Sequence, residues 1–146
     1  MKPLHFSIGI NAPKARVHQL MLADKTYREW TSAFAEGSCY QGSWDKGSQI
    51  LFGDGKGSGM SARIAEHRPA EFLSIEMLSE VKDGVPDAKQ QWQGAFENYT
   101  YTEKSGVTTL RVDITAMPDE YVDFMTDSWR KALGKLKTIC EGGNPT

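Results

Sequence analysis

The final stretch of the chain, residues 119–141, constrains the fold most, because it predicts one long amphipathic helix. Pro118 precedes the helix, and Gly142-Gly143 supplies its stop. Apolar side chains recur at steps of three or four residues and form one broad stripe. The stripe consists of Tyr121, Phe124, Met125, Trp129, Ala132, Leu133, Leu136, Ile139 and Cys140. A helix face this apolar requires a second layer of structure to cover it.

The middle of the chain predicts that second layer, because it reads as six strands separated by short turns. The predicted strands are residues 37–41, 49–53, 58–67, 71–81, 91–103 and 107–115. The segments between them are rich in Gly, Pro, Asp and Ser, which are the residues that turns require. Connections this short favour antiparallel neighbours.

The beginning of the chain adds one further strand and two short helices. Apolar residues alternate with polar or small ones from Leu4 to Ile10, as in a half-buried strand. Asn11 and Pro13 then mark the start of a short helix, and Asp24 starts a second one that ends near Thr31. The sequence therefore predicts a single α+β domain, residues 1–146. A curved, seven-stranded antiparallel meander wraps around the C-terminal helix, and the two short helices cover one end.

Composition narrows the possible partners. The chain has 146 residues, 39% of them apolar and 25% charged, with a net charge of -2. Its 17 basic residues are scattered among 19 acidic ones, so no basic stripe is present and nucleic acid is not an expected partner. No segment is apolar enough for a signal peptide or a membrane span. We therefore expect a cytoplasmic protein without membrane insertion.

The sequence predicts neither a metal site nor a cofactor. Cys39 and Cys140 lie far apart in sequence and outside any CxxC pattern, which predicts two buried thiols. His5, His18 and His67 have no metal-ligand spacing, and we expect them to be solvated. The glycine-rich segment 53–59 lacks the order of a phosphate-binding loop and no helix follows it, so it predicts a hairpin turn.

Several segments resemble a known family. They are Phe6 to Lys14 with Val17, Tyr27 to Thr31, Gly47-Ser48, Gly59-Met60, Arg68-Pro69, Trp92 to Thr100, Ala132-Leu133 and Leu136-Lys137. The sequence is similar there to bacterial homologues of the activator of the ninety-kilodalton heat-shock chaperone's ATPase. These proteins belong to the START-like, helix-grip superfamily (SRPBCC), which also contains polyketide cyclases. The resemblance implies a seven-stranded sheet that grips the C-terminal helix around an elongated cavity.

Glu97 is the candidate functional carboxylate, because it lies in the middle of a predicted strand. Alternation places Glu97 on one face with Tyr99 and Tyr101, and Trp92 on the opposite face. We favour Glu97 inward, since the two tyrosine hydroxyls could hold a buried carboxylate, whose pKa would then rise. The alternative is a surface glutamate on the outer face, held there by an arginine.

An excess of large aromatic and thioether side chains forms the second candidate feature. Such residues fill cores, but they also line apolar pockets with adaptable walls. Together with the polar group around Glu97, the candidate ligand-binding residues are Trp30, Phe34, Trp44, Phe52, Met60, Met77, Glu97, Tyr99, Tyr101, Met125 and Trp129. The helix-grip resemblance favours the pocket.

Three functions are compatible with this sequence. The first is binding of a small, mostly apolar molecule between the sheet and the C-terminal helix, without catalysis. The second is acid/base catalysis on such a molecule, with Glu97 as the base and a tyrosine as the donor to an oxyanion. The third is an interaction module that contacts a chaperone or another protein through the sheet surface.

Overall fold

A computed structural model describes residues 1–88, 92 and 94–142 of the chain. The strands are β1 (Lys2–Ile10), β2 (Cys39–Gly42), β3 (Gln49–Gly53), β4 (Gly59–Arg68), β5 (Phe72–Lys82), β6 (Val85–Pro86), β7 (Phe96–Lys104) and β8 (Val107–Met117). The α-helices are α1 (Lys14–Leu22), α2 (Asp24–Thr31) and α3 (Val122–Cys140). The α+β class and the order of the predicted elements are confirmed.

The strands form one antiparallel sheet in the order β1-β8-β7-β5-β4-β3-β2, with the two-residue β6 paired to β5. The prediction of a simple meander is therefore wrong at β1, which lies beside the last strand. The physical reason is the pair of short helices, which carry the chain away from β1 before β2 begins at the opposite edge. The sequence also did not predict β6, since it is only two residues long.

Strand β7 begins later than predicted. The predicted strand 91–103 begins at Gln91, which lies outside the described residues, whereas β7 starts at Phe96. Trp92 lies in a turn, where its carbonyl accepts a hydrogen bond of 3.0 Å from the Ala95 backbone N–H. Gly94 has a φ of 87°, which reverses the chain in this turn. The strand periodicity therefore does not apply to Trp92.

The long helix α3 packs against β1, α1 and α2. Its fully buried stripe consists of Ser128, Trp129, Ala132, Leu133, Leu136 and Cys140. The predicted stripe was wrong at Phe124, which is 56% exposed, and a one-turn 3-10 helix, Asp119–Tyr121, precedes α3. Within the described residues, no helix has the length and hydropathy that a membrane crossing needs.

Candidate functional site

A pocket of about 450 Å³ lies between the inner face of the sheet and helices α2 and α3. Strands β3, β4, β5, β7 and β8 supply its wall on the sheet side, and the end of α1 closes it with Met21 and Leu22. The lining is mostly apolar. A sheet that curves around a helix leaves such a volume when the helix side chains do not reach every inward residue of the strands.

Most of the predicted ligand-binding residues lie together on this pocket. Those that line it are Trp30, Phe34, Trp44, Phe52, Met60, Met77, Glu97, Tyr99, Met125 and Trp129. They come from α2, the segments that follow α2 and β2, the sheet and α3, so the tertiary structure brings together residues from 30 to 129. Their aromatic rings also contact one another, for example Phe34 and Trp129 with centroids 5.0 Å apart.

Tyr101 does not line the pocket, which corrects the predicted set. Its side chain is buried further along β7, where the hydroxyl donates a hydrogen bond of 3.3 Å to the Sδ of Met21. The edge of the His18 ring contacts it, with centroids 5.2 Å apart. Alternation placed Tyr101 on the correct face, but helix α1 covers that face at this point.

Glu97 lies on the inner wall of the pocket, between two apolar strand neighbours. Its cross-strand partners are Ile75 on β5 and Ile114 on β8, both buried. The Tyr99 hydroxyl donates a hydrogen bond to the Glu97 carboxylate. Burial raises the pKa of Glu97 to about 7, and this hydrogen bond offsets part of the effect. The side chain therefore carries a proton at mildly acid pH and a charge at alkaline pH.

Two phenols accompany this carboxyl group, Tyr99 from β7 and Tyr27 from α2. Burial raises the pKa of each well above its usual value, and the charge of Glu97 adds to the effect. Both side chains line the pocket. Because the pKa of each phenol is raised, both hydroxyls stay protonated when Glu97 ionises. The site therefore combines one titratable carboxyl group with two hydroxyl donors.

Trp92 is the most informative residue that sequence reasoning placed wrongly. It was assigned to the face opposite Glu97, yet it lines the pocket and its ring stacks on Tyr121 at 6.0 Å. The error follows from the turn before β7, and Gly94 was the signal that could have indicated the break. Other lining residues that the sequence did not predict include Met21, Tyr27, Leu73, Ile75, Ile114 and Met117.

His18 and His67 are not solvated as predicted, because they form a partly buried pair. The Nδ1 of His67 lies 2.9 Å from the Trp44 carbonyl oxygen, which can only accept, so Nδ1 carries the proton. The Nε2 of His67 then accepts from the Nε2 of His18 at 3.0 Å. Burial, with a smaller effect of His67, lowers the pKa of His18 to about 4. His5, by contrast, is exposed and bonds to Asp113.

The remaining sequence predictions concern metals, thiols and the glycine-rich segment. In residues 1–88, 92 and 94–142, no group of three or more His, Cys, Asp or Glu is placed to hold a metal ion. Cys39 and Cys140 are free and buried, which confirms the prediction for both thiols. The segment 53–59 is a hairpin turn, in which Oδ1 of Asp54 accepts from the backbone N–H of Lys56 at 2.7 Å.

The curved antiparallel sheet, the long C-terminal helix and the short helices after β1 together define the helix-grip, START-like fold. Solved structures with this fold match the chain over nearly its full length. One is the solution structure of the Aha1 dimer from Colwellia psychrerythraea, with a TM-score of 0.77, 18% identity and coverage of 99% of both chains. This neighbour supports the fold that the sequence resemblance implied.

Two further structural neighbours have the same architecture. An X-ray structure of a protein from Chromobacterium violaceum matches with a TM-score of 0.71 and 17% identity, covering 96% of this chain and 97% of that one. The crystal structure of CalU16 from Micromonospora echinospora matches with a TM-score of 0.70 and 17% identity, covering 99% and 76%. No protein-family model matches the sequence, and no curated protein sequence is significantly similar to it. At identities this low, the structural similarity establishes the fold alone.

Proposed function

We propose that this protein binds a small, mostly apolar molecule in the pocket between the sheet and α3. The observation that carries the proposal is an apolar pocket of about 450 Å³ with one half-buried carboxyl group, that of Glu97, in its wall. Volumes of this size accommodate ligands of drug-like dimensions, and pockets of this kind use a few polar groups to orient an apolar body. Glu97 and Tyr99 would supply that orientation.

The composition of the wall supports the same proposal. All four tryptophans of the chain line the pocket, as do five of its six methionines. Large aromatic rings provide apolar contact area, and flexible thioethers adapt to ligands of different shape. A solidly packed interior would bury these side chains against one another without leaving a pocket.

A thermal shift screen with fatty acids, sterols and polycyclic aromatics tests the proposal, followed by calorimetry on each stabilising compound. The substitution Ala116→Phe on β8 adds volume inside the pocket and should abolish binding. Thr109→Phe adds the same ring on the exposed face of the same strand and should leave binding intact. Binding that survives Ala116→Phe, or no stabilisation by any compound class, would contradict a pocket ligand.

The properties of Glu97 favour one second candidate, acid/base catalysis on the bound molecule. A carboxyl group with a pKa of about 7 can both accept and release a proton at neutral pH, and the Tyr99 hydroxyl beside it is a hydrogen-bond donor. Turnover of a bound compound that Glu97→Gln abolishes, while binding persists, would distinguish an enzyme from a binding protein. Binding without turnover in the unmodified protein would support the first proposal.

A chaperone-associated role is the third candidate, supported by the resemblance of the sequence and by the Aha1 structural neighbour. Such a role would use the outer face of the sheet, where Arg111 is exposed and pairs with Asp113. Arg111→Glu should weaken capture of a chaperone and leave pocket binding unchanged. Equal capture by the variant and the unmodified protein would exclude this face of the sheet.

A further inference from the structure

The charged residues of the pocket wall have one sign. Among the described residues that line the pocket, Glu36, Asp54 and Glu97 are acidic, and none is Lys, Arg or His. Glu97 lies on the inner wall, whereas Glu36 and Asp54 are exposed. The Asp54 carboxylate accepts backbone N–H groups of its own turn, and the charge of Lys56 is close to it.

A groove next to the pocket also contains more acidic than basic residues. It shares Gly59 and Met60 with the pocket, and its charged residues are Glu80, Asp87 and Lys82. Acids therefore predominate in the neighbouring groove as well. A carboxylate ligand such as a fatty acid would find no cationic partner in the pocket wall.

The inner wall leaves the Glu97 carboxylate weakly compensated when it ionises. Its flanking residues on the sheet, Ile75 and Ile114, are apolar, the Tyr99 hydroxyl bonds to it, and the Tyr27 phenol is near enough for the charge of Glu97 to raise its pKa. A carboxylate in such surroundings is stabilised most by a cation placed beside it. Within the described residues, the pocket wall contains no Lys, Arg or His that could supply this cation.

The aromatic side chains around the pocket suit a cation for an independent reason. The rings that line it are Tyr27, Trp30, Phe34, Trp44, Phe52, Trp92, Tyr99 and Trp129. Ring faces attract ammonium groups, and tryptophan does so most strongly. Rings from α2, β3 and the segment after β2 lie close together, with Tyr27 and Trp44 centroids 6.1 Å apart.

We propose that the ligand of this pocket is a lipophilic cation, whose apolar body fills the volume and whose ammonium group lies beside Glu97 among the aromatic rings. The inference rests on the proposed function and deepens it, because it names the ligand class. It predicts that, among ligands of the same shape, those with a cationic head group bind more tightly than those with a neutral or anionic one.

A matched ligand series tests the inference by calorimetry at pH 8. The compounds are naphthylmethylamine, its trimethylammonium analogue, the neutral naphthalenemethanol and the anionic naphthylacetate. We expect both cations to bind at least about tenfold more tightly than the alcohol, and the anion to bind most weakly. Glu97→Gln should remove the preference while the alcohol still binds. The matched control, Glu120→Gln, changes an exposed acid outside the pocket and should retain the preference.

The pH dependence of trimethylammonium binding provides a readout without any substitution, because this head group cannot lose a proton. Its affinity should fall about tenfold from pH 8.5 to pH 5.5, as Glu97 becomes protonated around its pKa of about 7. Tyr27 and Tyr99 do not titrate in this range, since burial raises the pKa of each well above its usual value. The pKa of Asp54 lies below its ordinary value, so that group stays ionised.

The outcomes separate the two proposals. If the alcohol or the anion binds as well as the cations, the cation inference is wrong and the apolar pocket function stands. If no naphthyl compound binds and the broad lipophile screen is also negative, the proposed function itself is wrong. A preference for cations that persists in Glu97→Gln, or that shows no pH dependence, would also overturn the inference, because it would exclude Glu97 as its source.

Discussion

The inward-facing residues of strand β7 belong to two different regions: an open end of the sheet, where the pocket lies, and a closed end, where helix α1 packs directly on the strand. Glu97 and Tyr99, at its beginning, line the pocket, whereas Tyr101, two residues further on, is packed beneath α1. The same alternation of the strand produces all three positions. The difference lies in what covers them, since α1 fits closely over one end of the sheet, while α2 and α3 leave a pocket over the other.

This difference extends to the titratable groups of the two regions. At the open end, burial raises the pKa of an acid, Glu97, to about 7. At the closed end, burial lowers the pKa of a base, His18, to about 4. Both groups favour the neutral form, because transfer from water penalises charge. The open end has space for a ligand that could reverse this penalty.

Truncation of α3 at its two ends should give the largest contrast. Leu136 is fully buried in the closed region, and Leu136→Ala should reduce the free energy of unfolding by about 3 kcal/mol. Met125 lines the pocket, and Met125→Ala should cost about 1 kcal/mol, since it enlarges a volume that already exists. Urea unfolding of both variants measures the difference. Equal losses of unfolding free energy in the two variants would show that Met125 is packed as closely as Leu136, and would contradict a pocket beside Met125.

Glu97→Gln should stabilise the protein at alkaline pH. The pKa of Glu97 is higher in the folded state than its ordinary value of 4.5, so the unmodified protein loses stability as pH rises from 4.5 through about 7. Gln carries no charge and avoids this loss, which is on the order of 3 kcal/mol above pH 8. Urea unfolding at pH 4, 6 and 8 should show no difference at pH 4 and the full gain at pH 8. A constant difference across this range would show that Glu97 does not titrate as inferred.

His18→Gln should produce the opposite pH trend. The pKa of His18 is lower in the folded state than the ordinary value of 6.5, so stability is present above pH 6.5 and is lost as pH falls through about 4. Partial exposure of the pair reduces the effect to about 1 to 2 kcal/mol. The difference between the variant and the unmodified protein, measured by thermal unfolding from pH 7.5 to 4, should therefore narrow or reverse on acidification. A difference independent of pH would argue against the buried pair.

Removal of a single hydroxyl group from β7 should have the smallest effect. Tyr101→Phe deletes a hydrogen bond of 3.3 Å to a thioether sulfur, which is a weak acceptor, and should cost less than about 1 kcal/mol. Tyr99→Phe deletes the hydroxyl that bonds Glu97 and should raise the pKa of that carboxyl further. NMR titration of the Glu97 carboxyl carbon in both variants tests this, and an equal shift in both would remove the distinction between the two tyrosines.

Most of the pocket residues predicted from the sequence are correct, although the sequence was wrong about the orientation of Trp92 and Phe124. Ten of the eleven predicted residues line the pocket, and nine of these ten are aromatic or methionine side chains. Such large apolar side chains are informative when they recur on inward faces, because they are buried more often than not. The errors at Trp92 and Phe124 have a different origin. Trp92 lies in the turn before β7, where the period of the strand does not apply, whereas Phe124 lies in the first turn of α3 on a face that the rest of the molecule leaves exposed.

The histidine pair shows a second limit of sequence reasoning. His18 and His67 are separated by 49 residues and belong to α1 and β4, so no local spacing connects them. Their contact arises only when α1 packs across the sheet. The pairing of β1 with β8 likewise joins segments that are distant in sequence, and it depends on where the two short helices carry the chain.

The sequence by itself determined the elements, their antiparallel arrangement and the need for α3 to be covered, because period, turn chemistry and apolar stripes are local properties. Only the tertiary structure decided which inward side chains meet a helix and which face a pocket, and hence that Glu97 has a pKa of about 7. That outcome depends on the fit between surfaces distant in sequence, which fixes both the unfilled volume and the desolvation of the groups around it.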